Sequence, residues 1–314
     1  MIGFVGGSAE NDGMNLQEIQ SYPKDRVRAL FGLEPIALSQ LLEAVLPELT
    51  ARRLCVLEAK INRKRKPGGG RPRKLFPYQE VLLTLVYLRH NVSHSVVGAM
   101  FHVTADISEN SFHDIVQVLR DVCPAHRWDA ETKWTKKEPS WHPDSIDVIL
   151  VDSFETPIAR PSLPAVQRQL YSGKKKRHTI KTQIITDACG EVLAIEPGHP
   201  GPMSDQTLYR QSEAATQYPR AARRADLGYV GVDEMILPNK RKRGKKGQPS
   251  SELTKSQQEE NQHLARMRVP VEHGVRRCKA WRILRDEFRL GRGLFSLIAT
   301  ATVGLVHLAR LCPG

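Results

Sequence analysis

Three acidic residues are set apart by where they fall. Asp152 closes the apolar run Asp147-Val-Ile-Leu-Val-Asp152, and Asp226 ends a second short strand in Arg224-Ala225-Asp226-Leu227-Gly228-Tyr229. Glu272 sits in a helical stretch otherwise crowded with cations. Strand-end carboxylates that meet in space repel one another, and a hard divalent cation bound through oxygen relieves that repulsion. Two such ions, ~3.5–4 Å apart, stabilise the attacking and leaving oxygens of an in-line phosphoryl displacement. Taken singly, each Asp is as well explained by a turn or a helix cap; the set is what points to chemistry.

Arg268, Glu272, Arg276 and Lys279 are spaced +4, +4 and +3, which puts them on one helical face. A surface ion-pair ladder would show the same spacing. Val269, Val271 and Val275 are interleaved with the charges, so the helix is expected to be partly buried. Pro270 is comfortable only in a first turn, which would place Arg268 ahead of the helix rather than on its face.

The chain that must position these acids is strongly basic: 47 Lys and Arg against 34 Asp and Glu, a net charge of +13 over 314 residues. The charge is clustered. Eight cations and no acid lie between Lys60 and Lys74, and Lys174-Lys175-Lys176-Arg177 follows Gly173. Six cations fill seven positions from Lys240 to Lys246, and a fourth group surrounds Arg276, Arg277, Lys279, Arg282, Arg285, Arg289 and Arg292. Concentrated like charge destabilises a compact state unless a polyanion neutralises it, so nucleic acid is the expected partner. An RNA-binding protein would look the same on charge alone. Within the first run, Gly68-Gly69-Gly70-Arg71-Pro72-Arg73-Lys74 resembles an AT-hook, whose guanidinium groups enter a narrow minor groove. A flexible basic linker reads equally well.

Five well-separated cysteines with no C-x-x-C pair argue against a disulfide framework or a thiolate zinc site and suit a reducing compartment. No secretory signal is visible at the N-terminus; residues 1–13 look unlike the rest of the chain, and Met14 is an alternative start. The apolar run Leu294–Leu311 has the length of a membrane span. It carries Ser296, Thr300, Thr302, His307 and Arg310, so a buried C-terminal helix is expected instead.

Along the chain, Leu38, Leu42, Val45 and Leu49 recur at helix spacing behind Pro35, with Pro47 expected to break or kink the segment. Residues 75–123 hold three helical segments. The first is built on Val81, Leu82, Leu85, Val86 and Leu88, and the second is capped by Ser93 or Ser95. The third carries the stripe Phe112, Ile115, Val116, Leu119, with Asp106 and Glu109 at capping-box spacing. Helix, short break and helix beside a basic strip suggests helix-turn-helix DNA binding, although small helical bundles without that role share the pattern. Residues 124–145 read as a connector. From Ile146 the pattern becomes strand, a hairpin turning at Asp187–Gly190, helix over Asp205–Ala215, two short strands, a polar helix and a final helical region, which indicates an α/β domain with a mixed sheet.

The sequence resembles the DDE transposases of bacterial insertion sequences, in the broad insertion-sequence-five group. The resemblance runs from about Leu75 to Leu311. It rests on Leu82-Leu-Thr-Leu-Val-Tyr-Leu-Arg89, Val151-Asp152-Ser153, Tyr171-Ser-Gly-Lys-Lys-Lys176, Ala225-Asp-Leu-Gly-Tyr229 and the Arg268/Glu272/Lys279 spacing. It implies a ribonuclease-H-like mixed sheet flanked by helices, with an all-α N-terminal helix-turn-helix region. It also implies two Mg²⁺ or Mn²⁺ ions held by Asp152, Asp226 and Glu272 as catalytic carboxylates. Asp205, in Pro202-Met-Ser-Asp205, is the alternative second carboxylate. Arg268 and Lys279 match flanking positions that contact DNA phosphate. The upstream tyrosine of the family falls at Ala265, which puts in doubt the contact it would make but not the metal site.

The organisation expected is therefore an N-terminal helical region and basic linker (1–74), a helix-turn-helix domain (75–123), a connector (124–145) and a ribonuclease-H-like catalytic domain (146–314) with a basic insertion at about 239–266. The function implied is a metal-dependent DNA transposase. It would bind the terminal inverted repeats of its element, cut DNA strands and transfer them to a target. A catalytically silent DNA-binding regulator, or a ribonuclease on the same core, are the alternatives. Arg71, Arg73, Lys74, Lys174, Lys175, Lys176, Arg177, Arg268, Arg276 and Lys279 are the expected contacts to double-stranded DNA. A homodimer would join two ends. The expected setting is cytoplasmic, prokaryotic and nucleoid-associated, without membrane.

Overall fold

The computed structural model describes residues 14–59, 72–241 and 251–312. Residues 1–13, Lys60–Arg71 (with Arg71 of the expected minor-groove strip) and most of the 240–246 basic run lie outside the described residues. The chain divides into two compact units. One takes the N-terminal residues to Cys123 with Trp281–Ile283 and the C-terminal residues from Leu308; the other takes Pro124–Ala280 with Leu284–His307.

The first unit is all-helical: α1 (Leu16–Ser21), α2 (Lys24–Phe31), α3 (Pro35–Glu58), α4 (Pro77–His90), α5 (His94–Met100) and α6 (Ala105–Val122). The expected break at Pro47 does not occur; α3 runs through it for 24 residues. An interior proline costs about 3 kcal/mol. Burial of Leu38, Leu41, Leu42, Val45 and Leu49, at roughly 1.5–3 kcal/mol each, outweighs it. The helix α4 is buried almost all round from Gln79 to Leu88, as the broad apolar face required, and packs against α2, α3 and α6. Ser93 caps α5. The cap of α6 is Thr104, whose hydroxyl accepts from Ile107 N; Asp106, expected as cap, lies in the first turn, where its charge suits the helix N-terminus. Gly98 lets the turn between α5 and α6 close, because a Cβ there would stand 2.7 Å from Val103 O.

Arg73, one of the expected DNA contacts, has a half-exposed side chain paired with acids of its own unit. It donates to Glu80 Oε1 at 2.8 Å and to Asp114 Oδ2 at 3.1 Å, while Arg53 reaches Glu80 Oε2 at 2.6 Å. Glu80 is only 1% exposed, and a buried carboxylate requires such partners.

In the second unit α7 (Arg127–Thr135) occupies the expected connector. It buries Ala130 and Trp134, and Arg127 bridges Glu131 and Glu191, so this segment is a packed part of the unit. Then follow β1 (Val148–Pro157), α8 (Pro164–Leu170), β2 (Tyr171–Ser172), β3 (Arg177–Asp187), β4 (Val192–Pro200), α9 (Asp205–Gln211), α10 (Ala214–Gln217), β5 (Ala222–Arg224), β6 (Met235–Ile236) and α11 (Lys255–Lys279). After α12 (Arg282–Arg285) the chain ends on α13 (Phe295–Leu311). β1, β3 and β4 form an antiparallel meander; β5 and β6 continue the sheet beyond β1 in parallel. This is the mixed sheet flanked by helices that the sequence predicts.

Directly opposed residues of an antiparallel ladder share a face. Ile149, Val151 and Ile185 point into a core with Leu193, Tyr209, Tyr218 and Tyr229. The opposite face carries Leu150, Asp152 and Phe154 with Thr186 and Ile184, and α11 lies against it. Gly274 makes the close approach, since a Cβ there would meet Thr186 Cγ2 at 2.7 Å. The expectation of two helical pieces parted at Pro270 is corrected: α11 is one helix of 25 residues, capped by Thr254 with Gln257. Pro270 forfeits one helix hydrogen bond, but its backbone packs on the hairpin turn at Gly190, and Arg277 donates to Gly190 O at 2.6 Å. Docking on the hairpin keeps the helix continuous through the proline.

Among the described residues, one helical stretch, Arg292–Leu311, is long and apolar enough to cross a membrane, and 61% of its most apolar window is buried. His307 within it sits at Ala125 O, 3.0 Å away, and burial drives its pKa down to about 4, so it is a neutral core residue.

Gly190 adopts φ +79°, and a Cβ there would stand 2.3 Å from Pro270 O. Gly190→Ala is expected to cost about 2–4 kcal/mol in urea unfolding. Gly173→Ala, with no neighbour within 4 Å, should change stability by less than about 0.5 kcal/mol.

Candidate active site

The site grows from the parallel pair β1 and β5. The last paired residues are Leu150 and Arg224, and two residues further along each strand come Asp152 and Asp226. Two acids thus stand level, Asp226 two residues past the end of β5 and Asp152 within β1, which continues to Pro157 along β3 instead of ending at Asp152 as the apolar run suggested. Asp226 Oδ1 accepts from Gly228 N at 2.8 Å, capping a short 3₁₀ turn. Asp152 Oδ1 accepts from the next backbone N–H, Ser153, at 2.8 Å.

Asp205 begins α9 behind the capping hydroxyl of Ser204. Its Oδ1 accepts from Ser153 Oγ at 2.6 Å and from Lys181 Nζ at 2.9 Å. Asp205 and Asp226 close on Gly228 from two sides: a Cβ there would lie 2.7 Å from Asp205 Oδ2 and 2.8 Å from Asp226 Oδ1. Asp152 feels both, because burial first, and then the charges of Asp226 and Asp205, push its carboxyl above the ordinary range. The Ser153 N–H and the Arg268 guanidinium oppose that rise. Both aspartates considered for the second position are therefore neighbours of the first.

Glu272 reaches the site from α11. With Asp152 it lines a cavity of about 540 Å³, whose other walls are Val275, Arg276, Lys279, Ala280 and Arg285. Arg268, on the same helix face, brings its charge to Asp152, although its Nε is buried without a partner. Lys279 stands 5.3 Å over the Phe154 ring; burial, and then Lys175, lower its pKa. Lys174, Lys175 and Lys176 are exposed on the turn between β2 and β3, so this cationic turn lies near the cavity wall. Arg177 is committed to Glu287 at 3.0 Å. Lys74 and Arg73 belong to the other unit.

In the sequence Ser153 and Tyr229 stand only as motif positions without an assigned role, and Lys181 is not singled out. Lys181 is a charged residue in an otherwise buried strand, which was a readable signal. Tyr229 is fully buried with an unpartnered hydroxyl; burial, and then Asp205, Asp152 and Asp226, hold its pKa well above normal.

Among the described residues, no three His, Cys, Asp or Glu side chains close to ion-binding distance. The donor set nevertheless fits a divalent cation in kind: every candidate is a carboxylate oxygen, and the ionised form of Asp152 is disfavoured by its neighbours until a cation offsets them.

Comparison with known proteins bears on this arrangement. Residues 151–307, half of the chain, match the family described as DDE superfamily endonuclease, and residues 73–124 match the helix-turn-helix of DDE superfamily endonuclease. The chain is 29% identical over 263 residues to a protein described as a transposase for insertion sequence element IS702 of Microchaete diplosiphon, covering 80% of this chain and 87% of that one. It is 26% identical over 244 residues to one described as a transposase for insertion sequence element IS112 of Streptomyces albus G, covering 77% and 82%. No solved structure matches it.

The raised Asp152 pKa has a sign that can be tested. The folded protein holds a proton that the unfolded chain releases, so stability falls as pH rises from the ordinary value of 3.8 through the raised one. Asp152→Asn is therefore expected to raise the urea midpoint of the metal-free protein at pH 7, with the gain vanishing below pH 3.8. An unchanged or lower midpoint at pH 7 would contradict the arrangement.

Proposed function

Because the chain belongs to the DDE superfamily endonucleases and carries that superfamily's helix-turn-helix, we propose that it is the transposase of an insertion sequence, binding the terminal inverted repeats of its element and moving it. The observation that carries this reading is Asp152 on β1 with Asp226 level with it just beyond the adjacent parallel strand, and Glu272 on the helix that lines one cavity with Asp152. These three are the residues that would hold two Mg²⁺ or Mn²⁺ ions. Bound there, such ions supply charge stabilisation to the attacking and leaving oxygens of phosphoryl transfer.

The remaining groups serve the polyanion. Arg276 and Lys279 on the cavity wall, with Lys174, Lys175 and Lys176 on the neighbouring turn, hold phosphates of DNA across the carboxylates. Arg268 supports the ionised form of Asp152. Water attacks a phosphodiester at the element end, the 3′ oxygen leaves as a hydroxyl, and that hydroxyl displaces the 3′ oxygen of a target phosphodiester. The helix-turn-helix unit of α5 and α6 supplies DNA recognition, and two chains act together to join two ends.

Cleavage of a duplex carrying the element's ends, with Mg²⁺ or Mn²⁺, tests the proposal. Asp152→Ala, Asp226→Ala and Glu272→Ala should each lower the rate on the order of 10⁴-fold while leaving end binding intact. Wild-type protein that binds the ends and never cuts would indicate a silent regulator. Replacing Lys174, Lys175 and Lys176 with alanine should reduce the slope of log K against log salt by about 0.9 for each phosphate no longer neutralised, measured by fluorescence anisotropy.

A further inference from the structure

We infer that Lys181 and Asp205 form a buried positioning pair that orients the Asp152 carboxylate through Ser153, which leaves Asp226 as the second metal-binding acid. This rests on the metal-dependent reading of the site above. Ser153 is tied to both acids from opposite faces of β1: its hydroxyl donates to Asp205 Oδ1 at 2.6 Å, and its backbone N–H donates to Asp152 Oδ1 at 2.8 Å. Lys181 stands across the ladder from Glu155 on the face that carries Ser153. Its side chain is only 7% exposed, and its ammonium donates to Asp205 Oδ1 and to Met203 O.

One oxygen of Asp205 thus takes both an ammonium and a hydroxyl, and its charge is offset by a buried cation. With Oδ1 taken by an ammonium and a hydroxyl, Asp205 is placed to anchor Ser153 rather than to bind a divalent ion through that oxygen. Asp226 holds only a backbone N–H on one oxygen and stands level with Asp152 across the parallel pair. Lys181 and Asp205 also divide the acids by task. Without the ammonium, Asp205 and Asp226 would both face the largely buried Asp152 with one fewer cation to offset them, leaving Arg268 and Lys279.

The experiment is Mn²⁺ calorimetry on the full-length chain, read beside thermal melting in EDTA and cleavage of an end-bearing duplex. Asp152→Asn and Asp226→Asn test the underlying reading: if both still bind Mn²⁺ as wild type does, the metal site itself is misplaced. Given that they lose binding, Asp205→Asn and Ser153→Ala should keep the number of ions bound while weakening affinity about 10–100-fold, the range for groups that orient a ligand. Lys181→Met should melt earlier than the double variant Lys181→Met/Asp205→Asn, since removing one partner of a buried pair strands the other. Should Lys181→Met fail to fold, Ser153→Ala decides alone, because it leaves the ion pair in place. Loss of ion binding in Asp205→Asn as complete as in Asp226→Asn would make Asp205 a ligand and overturn the inference. So would wild-type Mn²⁺ affinity in Ser153→Ala.

Discussion

Carboxylates of like charge have to be held side by side in this protein although each raises the energy of the next. Asp152 within β1, Asp226 just past β5 and Asp205 at the start of α9 converge beside one sheet, and burial of Asp152 sharpens their repulsion by removing the water that would screen it. The surrounding structure offsets that repulsion in three ways. Ser153 and Gly228 present backbone N–H groups to Asp152 and Asp226, Lys181 neutralises Asp205, and Arg268 brings a positive charge to Asp152 from the overlying helix. The rigid apolar sheet beneath, from Ile149 and Val151 to Ile185, keeps the acids from moving apart.

A related constraint governs the placement of α11. A helix that delivers Glu272, Arg276 and Lys279 to one cavity must sit at a fixed height above β1, and the residues packed between them set that height. Gly274 allows the close approach to Thr186, Gly190 receives the backbone of Pro270, and Arg277 binds the carbonyl of Gly190 and Glu191. Of the charges on this helix, Arg277 therefore serves architecture while its sequence neighbour Arg276 faces the cavity.

That division runs through the whole basic chain. Arg73 and Arg53 surround the buried Glu80, and Arg127 and Arg277 share Glu191. Part of the +13 charge is thus paired within the fold, around carboxylates whose burial makes a partner necessary. The exposed lysines of the turn before β3 are the opposite case: Lys175 repels Lys279, and all three gain from a polyanion laid across them.

Local pattern sufficed for much of this. The apolar run into Asp152, the hairpin around Gly190, the stripe of α6 and the capped start of α5 depend on neighbours a few residues away, so their periodicity was readable from the chain alone. Residue type marked the acids as candidates, but Asp152 lies within β1 and not at its end, because pairing with β3 carries the strand on to Pro157. Other features depended on partners remote in sequence. Whether Pro47 and Pro270 end their helices was decided by the surfaces those helices bury, and the pairing of Arg73 with Glu80 by packing across the first unit. Lys181 and Asp205 meet only because β3 and the start of α9 are brought together around Ser153. Periodicity reports which face a residue occupies; which charge waits on that face is settled only when distant segments fold against one another.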